Sequence, residues 1–352
     1  MAERKEVMTT SESSIAGSGP QDIQTKVPKS IYQKIYNFFG FSKAYNFNLW
    51  VIFAGAMFGF SLSRLEFLNY DGNFSKNTNP GYWYSLHAGS YRVGMIMHLA
   101  TVLPAGLLMV LQFVPKIRHR YIMFHRINGY LLILLLVLTN VGAMIVLRHN
   151  DSGTRMGAQT AEGFLVIITM ISMGLAYWNI KRLQIDQHRA WMLRAMFYFG
   201  TIITTRIFVR TTAVAIGHIG NYYQVWTCDK IDFTYKQFGF SGILALKYPQ
   251  CLIPGGTLDG RVVVKAEDTM TAPENGGAGG ALAFEFGLWL SVALHIIGVE
   301  IYLSLTPRES KRLRQVSYER QLAAGFKNPG NSGTTVQRWG DAEDWEPTKI
   351  EQ

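Results

Sequence analysis

The chain has 352 residues, 48% hydrophobic and 13% aromatic, with only 16% charged. A water-soluble domain carries about 25% charged residues, so an ordinary soluble fold is excluded; the mean hydropathy of +0.08 reflects polar tails and one long loop diluting very apolar stretches. The net charge of +10 does not point to nucleic acid, because Lys and Arg gather at the ends of those stretches, as membrane anchors do.

Taken in chain order, residues 1–46 read as a disordered polar tail. Its first thirty positions are rich in Ser, Thr, Glu and Lys, lack an apolar run and read as disordered, without a cleavable signal peptide. Six apolar stretches follow, at about 47–64, 91–114, 127–147, 162–180, 192–217 and 282–305. A hydrocarbon core of ~30 Å takes roughly 20 residues of helix, and lipid offers the backbone no hydrogen-bond partner, so each stretch has to be helical. The expectation is an all-α membrane protein: a six-helix transmembrane bundle over 47–305, the first span acting as an uncleaved anchor.

Between spans one and two lie a glycosylation sequon, Asn73-Phe74-Ser75, and an aromatic belt, Tyr82-Trp83-Tyr84. A long loop, 218–281, separates spans five and six. It holds the two cysteines, Cys228 and Cys251, a short strand over 260–265, and a glycine run, 276–280, read as a flexible hinge. The 306–352 tail reads as a basic helical stretch, then a Gly/Asn/Ser segment and an acidic end that frays.

Basic clusters mark every second junction: Lys26, Lys29, Lys34 and Lys43; Lys116, Arg118, Arg120 and Arg126; Lys181, Arg182 and Arg189; Arg308, Lys311, Arg312 and Arg314. The positive-inside rule then puts both termini in the cytoplasm. Asn73 and the 218–281 loop fall on the far, oxidising side, where a Cys228–Cys251 disulfide persists; the alternative is two unpaired thiols. Uncleaved anchor, sequon and disulfide together suggest the endoplasmic reticulum.

Ionisable side chains inside a bilayer are costly and mark function. His87, Tyr91, Gly94 and His98 recur at helical spacing in span two, beside Arg92. Span four opens with Glu162. His188 and Arg206 are eighteen residues apart, roughly five turns, and share a face that Arg210 continues. Span six carries Glu285, Trp289, His295 and Glu300. Arg92, Glu162, Arg206, Arg210 and Glu285 fall at similar depth and suggest one polar pocket above His98. The structural alternative is that the arginines pair with the two glutamates and hold the bundle together.

His125-Arg126-Ile127-Asn128-Gly129 opens span three, and His188-Arg189-Ala190-Trp191-Met192-Leu193-Arg194 opens span five. With His98, these runs resemble a widespread family of polytopic membrane proteins long described only as a domain of unknown function, over about residues 90–217. Within it, the long cysteine-bearing loop, polar tail and length are most similar to the fungal membrane-bound terpene cyclases of meroterpenoid pathways, the ascofuranone and macrophorin type. The resemblance implies cyclisation of a prenyl chain on an aromatic or epoxycyclohexenone head group, with no metal or other cofactor and no diphosphate leaving group.

Such chemistry needs a proton donor for an olefin or epoxide, a dry site and aromatic faces near the cation. A carboxyl group in low dielectric keeps its proton, which makes Glu285 and Glu162 the candidate acids, with His98 orienting the acid or relaying the proton. Arg206, Arg210 and Arg92 are candidates for holding a polar head group, and Tyr91 and Trp289, with Trp191, Tyr198 and Phe208, for facing the cation. The partners expected are a lipophilic prenylated substrate and membrane lipid. The rival reading is a b-type haem oxidoreductase, ligated by His125 and His188 or by His98 and His295. A transporter lacks support from inverted repeats, and Pro104 is the one mid-span proline.

Overall fold

The computed structural model describes residues 30–147, 156–240, 242–252, 260–269 and 271–347. Six helical spans are long and apolar enough to cross a bilayer: Ala44–Leu68, Gly89–Gln112, Ile122–Leu147, Met156–Lys181, Ile185–Ile219 and Pro273–Ser304. The chain is an integral, multi-pass membrane protein.

Residues 1–29 of the expected disordered tail lie outside the described region. From Ser30 the expectation of disorder fails. Ser30 Oγ accepts the Gln33 N–H at 3.1 Å and caps a helix, α1 (Ile31–Phe38). Ile31, Ile35 and Phe38 leave its apolar face exposed, and Lys116 Nζ stands 4.0 Å over the Phe38 ring.

The spans close a ring. In chain order they are α2 (Ala44–Ser63), α3 (Gly89–Gln112), α4 (Ile122–Leu147), α5 (Met156–Lys181), the pair α6 (Ile185–Phe199) and α7 (Thr201–Ile219), and, after the long loop, α9 (Pro273–Ser304). Each packs on the next; α9 lies against α5, α6 and α7, and α7 returns to touch α2. Two of these seams are very close, for a sequence reason. At Gly94 and Gly142 a Cβ would meet the opposing backbone, Gly142 O at 3.1 Å and Gly94 O at 2.7 Å, so only glycine lets α3 and α4 approach this far. Polar contacts then fasten the pair: Thr101 to Thr139 between hydroxyls at 2.7 Å, Asn128 Nδ2–H to Leu108 O at 3.1 Å and Gln112 Nε2–H to His125 O at 3.0 Å. Gly287 does the same for α9 against Phe208 and Val209 of α7.

The fifth span breaks at Gly200, which frees backbone groups in the bilayer. His295 of α9 answers them. Its Nδ1–H donates to Phe197 O at 2.5 Å, and its Nε2 accepts the Thr204 hydroxyl at 2.8 Å. A carbonyl can only accept, so the tautomer follows from the partners.

The long loop is a small cap with its own core. Strands β1 (Tyr223–Thr227) and β2 (Arg261–Lys265) pair antiparallel, Trp226 opposite Val262. Helix α8 (Cys228–Phe238) follows β1, and Cys228 is disulfide-bonded to Cys251. Trp226, Ile231, Tyr235, Val262 and Val264 are buried together with Ala213 and Ile216 of α7 and Ala278 and Ala283 of α9. Closing a loop across a sequence separation of 23 residues removes unfolded-state freedom of about 3 kcal/mol. The glycine run is no hinge. Gly276–Gly280 form the first turns of α9, and a Cβ at Gly276, Gly277, Gly279 or Gly280 would strike Thr269 O, Pro80 O, Glu267 O or the Asn79 side chain.

The C-terminal tail does not fray over its described part either. Helix α10 (Pro307–Ala323) docks on α6. Buried Gln184 accepts N–H groups from Gln321, Ser332 and Gly333 at 3.0, 3.1 and 3.1 Å, and Asn179 accepts the Thr334 N–H at 2.8 Å. These bonds secure the tight turn where Leu183 takes the left-handed φ of 55°. Buried amides order this tail, together with the buried Leu313 and the Trp345 ring on Tyr318.

The cap is tied to the first far-side loop by Tyr84, whose hydroxyl donates to the Asp229 carboxylate, and by Asn79 Nδ2–H to Gly277 O at 2.9 Å. Burial raises the Asp229 pKa, but hydrogen bonds from Thr227, Tyr84 and the Lys230 N–H outweigh it and hold the carboxyl below its ordinary value. Burial first, then Asp229, pushes the Tyr84 phenol up to about 12. A depressed folded-state pKa stabilises above the ordinary carboxylate range of ~4 and is lost as pH falls through the depressed value. Tyr84→Phe should therefore loosen the cap at neutral pH by about 1 kcal/mol, seen as faster protease cleavage within residues 239–269. The unaltered protein should reach that rate only on acidification below about pH 4.

Candidate functional site

The expected single pocket divides into separate neighbourhoods, because loop carboxylates capture two of its arginines. Arg92 pairs with Asp71, NH1 to Oδ1 at 2.5 Å and NH2 to Oδ2 at 2.7 Å, and lies 5.1 Å over the Tyr70 ring. The Arg92 hydrogen bond is the main reason the Asp71 carboxyl lies below its usual range. Arg210 pairs with Asp268 of the cap at 2.9 Å. Both arginines thus fasten far-side segments to spans. Helical spacing could not show this, since neither Asp71 nor Asp268 belongs to a span. Tyr91 packs against the hydrophobic cluster that holds Tyr70, Phe74 and Met95.

Glu285 and Trp289 come together as the sequence places them, one turn apart on α9, and both meet Gly157 in the first turn of α5. The Glu285 carboxylate occupies the space where a Gly157 Cβ would stand, so glycine is needed for its seat. The Trp289 Nε1–H donates to Gly157 O at 3.0 Å, and the indole stacks on Phe164, 6.0 Å between centroids at 24°. Among the described residues no hydrogen bond or ion pair reaches the half-buried Glu285 carboxylate. Below it, Ala161, Leu288 and Val292 close the α5–α9 seam. Trp289 is 41% exposed and Phe164 39%. Their flanks are the exposed Phe286, Leu294 and Ile297 of α9 and Ile167 and Ile171 of α5, side chains that face lipid in a bilayer. Carboxyl and stacked rings therefore sit at a seam that opens sideways.

Glu162 lies on α5, five residues past Gly157, and makes its own contacts. Arg206 pairs with neither glutamate. It is exposed on α7, its guanidinium 5.9 Å from the Phe284 ring, and its titratable neighbours are Tyr82 and Arg64. Sequence reading passed over Arg64, because an arginine closing the first span looks like any interfacial anchor.

The histidines divide likewise. His98 donates Nδ1–H to Thr139 O at 3.1 Å, which leaves Nε2 as its basic nitrogen. His188 donates Nδ1–H to Ala176 O at 2.9 Å and lies near enough to His125 to act on it electrostatically. His295 has both nitrogens engaged across the Gly200 break, so the expected His98–His295 ligand pair does not form. Among the described residues no group of three or more His, Cys, Asp or Glu is placed to hold a metal ion.

At the other end of α9, Glu300 is fully committed. Arg194 grips it through two bonds, Nε to Oε1 at 2.6 Å and NH2 to Oε2 at 2.9 Å.

The family described as "Predicted membrane protein (DUF2306)" matches residues 95–228, from α3 into the start of α8. Over 322 aligned residues, 79% of this chain and 93% of the relative, the chain is 23% identical to "Ava biosynthesis cluster protein G" of Aspergillus versicolor. No solved structure matches it. The chain is thus similar to a fungal protein whose name places it in a biosynthesis cluster.

The two carboxylates of α9 predict opposite behaviour. Glu300→Gln strips Arg194 of its partner inside a span and should lower stability by about 1–3 kcal/mol. Glu285→Gln breaks no bond to a described residue and should shift it by less than about 0.5 kcal/mol. Thermal unfolding of the two variants in detergent checks the contrast.

Proposed function

We propose that this protein is an integral membrane terpene cyclase that closes rings on the prenyl chain of a meroterpenoid, begun by protonation of an olefin or epoxide. The observation that carries the reading is the Glu285 carboxyl. It is half-buried, free of a cation among the described residues, and set beside the Trp289–Phe164 stack at a seam facing lipid. Similarity to a biosynthesis cluster protein over most of both chains supports it.

In this reading a prenyl chain dissolved in the bilayer reaches the α5–α9 seam without crossing water. Glu285 gives its proton to the olefin or the epoxide oxygen. The cation that forms migrates along the chain as rings close, and the indole and phenyl faces lower its energy. Loss of a proton from the product cation restores the acid, so the reaction is an isomerisation with no net proton consumed. Glu162 is the second carboxyl within the same helix pair. Arg206, unlike Arg92 and Arg210, keeps a guanidinium free for a polar head group.

General acid catalysis is worth roughly 10²- to 10⁴-fold. Microsomes carrying Glu285→Gln should lose product from a prenylated substrate by at least about 100-fold while protein abundance stays unchanged. Full activity in both Glu285→Gln and Glu162→Gln would remove the proposed donor.

The same reading places the protein in the endoplasmic reticulum with both termini cytoplasmic. Epitope tags at either end should then stain after plasma-membrane permeabilisation alone, and Asn73→Gln should abolish any shift on endoglycosidase treatment. Ser75 of that sequon is buried, its Oγ–H donated to Asp71 O at 2.6 Å, so a glycan has to be added before the loop folds. A tag reachable only after lumenal permeabilisation would reverse the orientation.

A further inference from the structure

We propose that Arg64 and Arg206 form one binding site for an oxyanion, at matching depth on the neighbouring helices α2 and α7. Arg64 closes the 20-residue α2. Arg206 lies 21 residues past Ile185, the start of the span parallel to α2 (206 − 185). At about 1.5 Å per residue both stand about 30 Å from the basic ends of their spans. Helices α2 and α7 touch, and each arginine lies within electrostatic reach of the other.

The surroundings of these two groups differ from those of the ion-paired arginines of the spans. Arg92 has Asp71, Arg194 has Glu300 and Arg210 has Asp268. Arg64 has the rings of Phe67 at 4.9 Å and Phe60 at 5.8 Å, and Arg206 has Phe284. Among the described residues no carboxylate pairs with either; Glu66, two residues beyond Arg64, makes no ion pair with it. Two guanidinium groups at one depth on touching helices, each set against aromatic rings, repel each other, and a shared anion relieves the repulsion. The planar fork of arginine suits carboxylate, ionised phenol and phosphate oxygens alike. Arg206 is exposed and Arg64 half-exposed, so both are open to a ligand. Tyr82, the other neighbour of Arg206, supplies a phenol at the same place.

The ligand class is an oxyanion on a lipophilic body. Its source is either the acidic ring of a prenylated aromatic substrate, which rests on the cyclase reading above, or the phosphate of a membrane lipid. Binding is measured without turnover, so the two readings fail separately. The full chain is placed in phosphatidylcholine nanodiscs and titrated with a farnesylated dihydroxybenzoate and with its fully O-methylated counterpart. The acid should bind at least 10-fold tighter than the methylated probe. Arg64→Gln and Arg206→Gln should each erase that difference while leaving affinity for the methylated probe unchanged. Since Arg206→Gln lies inside helix α7 and risks misfolding, Arg64→Gln at a helix end carries the test alone if needed. In a second arm phosphatidic acid is added to the discs. Displacement of the acid by it, lost in Arg64→Gln, supports the oxyanion site and assigns it to lipid. Equal binding of acid and methylated probe, with no response to phosphatidic acid, overturns the proposal even if Glu285→Gln abolishes turnover. Retained acid selectivity in both variants overturns it as well.

Discussion

A charge within a bilayer has to be answered by another group, and the way this chain answers its charges decides both its architecture and its chemistry. Arg92 and Arg210 are answered from outside the spans, by Asp71 and Asp268. Those two pairs draw the far-side loop and the cap down onto the helices. Arg194 is answered by Glu300 across the α6–α9 contact. Once these pairs are made, Glu285, Arg64 and Arg206 stand apart, with no ion pair among the described residues.

The spans were legible because lipid enforces one rule without exception: the backbone must satisfy itself. Length and apolarity therefore sufficed to find all six, though the sixth begins at Pro273 and not near 282. The cap strand over 260–265 and the disulfide were legible for similar reasons, one from a β-branched run and the other from two cysteines in one far-side loop. What escaped was order created by polar or side-chain-free residues. Gln184, Asn179 and Gln321 carry nothing hydrophobic, yet their amides bind the tail. Glycines 276–280 read as flexible because isolated glycine is flexible. Here they are glycine because the backbones of Glu267, Thr269 and Pro80 stand where Cβ atoms would be. Composition records the residue type and cannot record its neighbour.

The candidate site was legible in part for an equally physical reason. Glu285 and Trp289 lie on one helix, so their spacing fixes their relation, and the fold only had to bring Gly157 to them. Depth along a span is also readable, which is how Arg206 was singled out. Azimuth between different spans is not. Three arginines and two glutamates at one depth can meet or can face opposite ways, and the residues that decide for two of the arginines are loop aspartates with no helical register to the rest. Arg64 was invisible on the same account: its meaning comes from α7, and nothing in α2 announces that neighbour.

The separation of Glu285 from Arg206 bears on mechanism. A proton donor paired with a guanidinium is held as the anion and gives up its proton poorly. A head-group anchor, conversely, gains from its full charge. One pocket holding both would set these needs against each other. In the structure, Phe284 carries Arg206 and its neighbour Glu285 turns to Gly157, so the proposed acid and the proposed anchor meet different faces of the same helix, about 100° apart. A bifunctional substrate, polar at one end and oily at the other, is the kind of molecule that can reach both faces at once, and α9 is the element through which head-group recognition and chain protonation would be coupled.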